Sequence, residues 1–127
     1  MAVARLDNAK TTVDTGNDSI VIVEYLEGVP GGRTLDVTGF TSPVIQAGHI
    51  VIVETATKER KPMPVTDAAY AALPAGHSYE GVVVASVLTE KPMAGIMLRG
   101  SVNEVASPYP VTDAMKAALP LIRFTQD

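Results

Sequence analysis

At 127 residues, with 46% hydrophobic and 19% charged side chains, the chain has the length of one domain and enough apolar content for a core that holds without metal or disulfide. Cysteine is absent, which excludes disulfide stapling, thiol catalysis and thiolate metal sites. The net charge of −4 and the confinement of clustered bases to Lys58, Arg60 and Lys61, with Glu59 among them, argue against nucleic-acid binding, which needs a basic surface to release counterions.

In chain order, residues 1–19 (MAVARLDNAKTTVDTGNDS) are polar, small and without period, and they read as an N-terminal arm preceding a domain over 20–127. A short strand around Thr11 to Val13 is the alternative for that segment. The opening residues lack the apolar run of a secretory signal, and no stretch approaches the length that spans a bilayer. IVIVEY (20–25) is β-branched and aromatic, predicting a strand buried on at least one face. GVPGGR follows as a tight turn.

TLDVTGF (34–40) alternates apolar and polar residues as a half-buried strand does, with Gly39 ending or bulging it. HIVIVE (49–54) predicts another strand, TATKERK a polar loop, GVVVASV (81–87) a central strand, and MAGIMLRG (93–100) the next, with Gly95 at a bulge and Gly100 at a terminus. LIRF (121–124) predicts an edge strand. The sum is a mainly β (α+β) fold: a small sandwich or barrel-like domain of about six strands with two short helices.

Both helices are expected from one phrase written twice. Residues 64–74 read PVTDAAYAALP and residues 110–120 read PVTDAMKAALP, nine identities in eleven positions at an offset of 46. The register extends upstream, setting Ile50, Val51 and Ile52 over Ile96, Met97 and Leu98, so a duplicated strand and helix unit over about 50–74 and 96–120 is expected. Thr66 or Asp67, and Thr112 or Asp113, are the candidate N-caps, and Pro74 and Pro120 stop each helix. Helices this short need packing to persist. The paired aspartates invite an acid–base reading, but a carboxylate at a helix start is more simply a cap.

No constellation supports catalysis, a metal or a cofactor. His49 opens a strand and His77 sits in a loop, without further ligands at metal-binding intervals. None of the six serines lies in a nucleophile elbow, and the GVPGGR glycines lack the Lys-Ser/Thr of a phosphate loop. Glu24 and Glu27 read as a solvated strand end.

The strand GVVVASV, the connection KP, the strand MAGIMLRG, then SVNEVASPYP and an alanine-rich helix, with GGRTLDVTGFTSPVIQAGHIVIVE upstream, resemble the head decoration (capsid-stabilising) and head-fibre proteins of tailed bacteriophages, over roughly residues 32–124. The resemblance implies a virion protein on the capsid exterior, made in the host cytoplasm. It implies self-association, as a trimer or cluster, that bridges major capsid subunits. It also implies that the arm supplies a capsid contact through Val3, Arg5, Leu6, Lys10 and Val13, by pairing with a sheet edge. Low charge content agrees with surface covered by a partner, and neither nucleic acid nor membrane is expected as one. Two other readings stand beside it: a displayed host- or glycan-binding module using loop tyrosines Tyr79 and Tyr109, and a bacterial scaffold or translation-linked β-barrel protein.

Overall fold

The computed structural model describes residues 15–126. The proposed contact residues Val3, Arg5, Leu6, Lys10 and Val13 lie outside them. The chain is mainly β, with two short helices. In order it forms α1 (Asp18–Val21), β1 (Ile22–Gly28), β2 (Arg33–Thr34), β3 (Val44–Ile45), β4 (Ile50–Glu54), β5 (Arg60–Pro62), β6 (Val65–Thr66), β7 (Ala69–Tyr70), β8 (His77–Val83), β9 (Val87–Leu88), β10 (Met93–Ala94), β11 (Ile96–Asn103), α2 (Asp113–Ala118) and β12 (Ile122–Thr125).

One six-stranded sheet organises the molecule, in the order β1-β11-β8-β4-β5, with β12 added in parallel to the second half of β11. The first residues of β11, Ile96 and Met97, pair with β8; from Gly100 onward β12 takes over that flank, while β1 lines the opposite flank. Three two-stranded ladders, β2 with β10, β3 with β9 and β6 with β7, lie around it.

The continuous apolar runs are explained by burial on both faces. Ile50, Ile52, Val82 and Met97 pack to one side with Met63, Val102, Met115, Leu119 and Ile122. Val51, Val83 and Ile96 pack to the other with Val29, Leu35, Ile45 and Ala94. Successive strand residues point to opposite faces, so a strand covered on both sides must be apolar at every position.

Several boundaries differ from those expected. Ile20 and Val21 belong to α1, where Val21 occupies the space that a side chain on Gly48 (φ +88°) would fill. Of the alternating 34–40 stretch only Thr34 pairs as strand, together with Arg33 from the expected turn before it; Leu35 is buried, but Asp36 closes a local turn by accepting from the backbone N–H and hydroxyl of Thr38. That local bond competes with a ladder and wins. β8 starts at His77, inside the expected loop, and β11 runs through Gly100 to Asn103. Gly100 tolerates no side chain there because the Glu24 carbonyl of β1 crosses it.

The largest departure concerns the repeated phrase, which folds in two ways. The second copy is the expected helix: Thr112 is the N-cap, its hydroxyl accepting from Met115 N at 3.3 Å, and Asp113 opens the first turn. The first copy is a β-hairpin, β6 to β7, whose turn residues Asp67 (φ +49°) and Ala68 (φ +62°) are both left-handed. Thr66 and Asp67 are therefore strand and turn residues, not helix caps.

The two positions that differ explain the split. Met115 and Leu119 are buried beneath α2, and Lys116 reaches Glu104 at 2.7 Å across its outer side. In the first copy Ala69 offers no such anchor, while the hydroxyl of Tyr70 accepts from Ile50 N at 3.0 Å. The hairpin also carries strain of about 1 kcal/mol at each left-handed residue without the glycine that such turns favour. Tertiary anchoring outweighs local preference. Replacing Thr112 by Ala is expected to lower the unfolding free energy by about 1 kcal/mol, whereas Thr66→Ala should stay within about 0.5 kcal/mol. Urea denaturation of the two variants checks this, and equal losses would contradict the assignment.

Candidate functional site

Two places combine unusual chemistry or exposure, and they differ in what they can do. The first surrounds His49, which is 1% exposed. Its Nε2 lies 2.9 Å from the Met63 carbonyl, and a carbonyl only accepts, so Nε2 carries the proton. Phe40, Tyr70 and Tyr109 stand edge-on around the ring, at centroid distances of 5.5, 5.2 and 5.6 Å. Burial pushes the imidazole down to about 4, against the opposing pull of the Met63 bond, and burial likewise raises the Tyr70 hydroxyl far above its ordinary value.

A neutral, sealed imidazole that already donates its proton is a packing group. It makes neither a general base for an external substrate nor a metal ligand with partners: among the described residues no three His, Asp or Glu side chains converge as a metal site requires. Tyr109 is committed to this cluster and Tyr79 packs against the core, so neither of the two loop tyrosines forms an exposed stacking platform. Asp67 and Asp113, equivalent in the repeat, have different roles in turn and helix. A cleft of about 230 Å³ lies beside the cluster, between Gly39–Ser42 on one side and Pro64, Val65, Asp67 and Tyr109 on the other.

The second place is β1. Among the described residues it forms one edge of the main sheet, paired only to β11, and it is exposed along nearly its whole length. Val23, Tyr25 and Leu26 are all more than half exposed, as is Ile20 just before it. The Tyr25 side chain lies over Gly28, in the space that a side chain there would fill. Three register shifts against β11 bend the strand, and Glu24 and Glu27 interrupt its apolar run. Bulges and charges of this kind restrain indiscriminate edge pairing while leaving apolar area open to a specific partner.

The expectation that residues 20–25 are buried on at least one face holds for Val21 and Ile22, which pack into the core, and is corrected for Val23 to Tyr25. A partial signal was present: Glu24 and Glu27 flank Tyr25 and Leu26, and carboxylates are seldom buried without a partner.

The start of β1 is held firmly. Asp18 accepts from Ser86 N at 2.9 Å and from the Ser86 hydroxyl at 2.7 Å, while Ser86 Oγ accepts from Ala47 N. Asp18 belongs to this clamp, so the polar segment joins the folded body at or before residue 17, beside the β1 edge. No helix among the described residues is long and apolar enough to cross a membrane. Comparison with family models, with curated proteins and with solved structures returns no match.

Proposed function

We propose that this chain is a non-catalytic structural protein of the virion, attached to the outside of a tailed-phage capsid and stabilising it by bridging major capsid subunits, itself assembled as a trimer or cluster. The observation that carries the proposal is the exposed β1 edge, which leaves Val23, Tyr25 and Leu26 uncovered and follows directly on the junction with the N-terminal segment. An edge of this kind gains main-chain hydrogen bonds and apolar burial together when a partner covers it. Repetition around a symmetric cluster multiplies a modest contact into firm attachment, because each later contact is intramolecular. The folding of the His49 imidazole into a packing role supports a protein without turnover chemistry.

The test is reconstitution of the purified protein with undecorated shells of the phage that encodes it. Attachment should raise the temperature at which shells release DNA. The double variant Val23→Lys, Leu26→Lys should weaken attachment by at least about 100-fold, since each apolar side chain contributes about 1.5 kcal/mol or more when covered. Shells equally fragile with and without the protein would overturn the reading. Light scattering on the free protein measures the oligomer number.

A further inference from the structure

We infer that residues 64–74 are a two-state element: a hairpin that closes the aromatic cluster around His49, and an alternative short helix capped by Thr66 that opens it. The strongest observation is internal to the molecule. The same phrase, differing at only Ala69 and Tyr70, forms a helix over Asp113–Ala118 with Thr112 as its cap, so the shared cap and the four shared residues matching Asp67, Ala68, Ala71 and Ala72 take up that geometry in the second copy.

The hairpin form is held at few points. Its ladder has two residues per strand, its turn sets Asp67 and Ala68 left-handed, and residues 66–69 are exposed. Ala71 N donates to the Pro64 carbonyl at 2.8 Å, and the Tyr70 hydroxyl and ring supply the anchor to Ile50 and His49. Leu73, whose counterpart Leu119 is 5% exposed, stays 36% exposed. The local sequence is thus satisfied in neither its turn nor its apolar residue, a conflict expected of a segment with a second arrangement close in free energy.

Refolding to a helix is geometrically open. Pro64 and Ala71, now joined by a hydrogen bond, would move apart, since a helix from residue 67 rises 1.5 Å per residue and residues 64–66 before it stay extended. The irregular stretch 71–76 can take up that displacement. Helix formation withdraws Tyr70 from His49 and removes the Pro64, Val65 and Asp67 wall of the 230 Å³ cleft, uncovering Phe40 and Tyr109.

Acid is the natural trigger. The groups facing His49 are Phe40 from the 35–43 loop, the Met63 carbonyl after β5, Tyr70 of β7 and Tyr109 before α2; none is a carboxylate that could neutralise an imidazolium. Protonation is therefore accommodated by opening the cluster at its weakest wall.

The experiment is carbon and amide NMR on the full chain between pH 7 and pH 4, with hydrogen exchange at Ala71. Cα shifts of residues 67–72 should move from the extended to the helical side as pH falls, and the Ala71 amide should lose its protection at least tenfold before the β4 and β8 amides do. The variant Ala69→Met, Tyr70→Lys, which makes the first phrase identical to the second, should give helical shifts already at pH 7. Asp67→Asn with Ala68→Gly, which suits the left-handed turn, should hold the hairpin to pH 4. Shifts that move to random coil in the wild type would overturn the proposal, as would hairpin shifts retained in the copy-two variant. Should that variant not fold, the wild-type titration and the turn variant decide alone.

Discussion

Gly81→Ala is expected to lower the unfolding free energy by about 3 kcal/mol, a large share of the stability of a domain this size. Gly81 sits in β8 opposite Val51 of β4, and a Cβ at this position would run into the carbonyl oxygen of Met97 in β11, with Met97 C at 3.1 Å and Ile96 Cγ2 at 3.2 Å. The obstruction is backbone, which no rotamer change relieves. Relief comes only by separating β8 from β11, and the contact of those strands at Ile96 and Met97 joins β1, β11 and β12 to β8, β4 and β5. Urea denaturation with Gly95→Ala as control measures the effect. At Gly95 the nearest atom to a new Cβ is 3.7 Å away, so that variant should change stability by no more than about 0.5 kcal/mol. Equal effects at the two sites would show that the strands do not approach as described.

The second large effect is a loss of stability in mild acid. The His49 imidazole has a folded value of about 4 against an ordinary value of 6.5, so between those limits the unfolded chain binds the proton and the folded chain does not. Stability therefore rises with pH through this window: the contribution is complete above about pH 6.5 and lost as pH falls toward 4, a total of about 3 kcal/mol. Asp36 and Glu104 have carboxyls held below their ordinary range, by the bonds from Thr38 and by Lys116 with Gln126 respectively. Their contributions are lost at lower pH, leaving the pH 5–6.5 interval to His49. His49→Gln keeps a donor for Met63 but cannot titrate, and it should flatten the slope of unfolding free energy across that interval. A slope unchanged in the variant would exclude the buried imidazole as its source. Opening of the 64–74 hairpin alone exposes His49 to water, so the cost of that opening sets an upper limit on the loss.

This coupling bears on the proposed role. In that proposed role, a protein held at its β1 edge, with the acid-responsive wall inferred above, would change the surface beside Phe40 and Tyr109 while staying attached. The clamp of Asp18 on Ser86 and the packing of Val21 against Gly48 keep the β1 end fixed while that wall moves.

The amino-acid sequence by itself determined the class of fold and the central strands. Ile50 to Val53 and Gly81 to Val83 are apolar at consecutive positions, which only a strand covered on both faces accommodates, and Thr112 with Pro120 sets the limits within which a helix can form. The edge strand was legible in type but not in burial, because whether a second layer covers Val23 and Leu26 depends on where loops distant in sequence come to lie. The repeat marks the limit most sharply. Nine shared residues carry equal local preference, so sequence assigns both copies the same helix. Tertiary structure decided otherwise, since the core has room beneath one copy for Met115 and Leu119, while an aromatic cluster and the Ile50 amide capture Tyr70 of the other. Local propensity is worth tenths of a kcal/mol per residue and a buried anchor several times that, which is why long-range packing settled which copy became helix and which became hairpin.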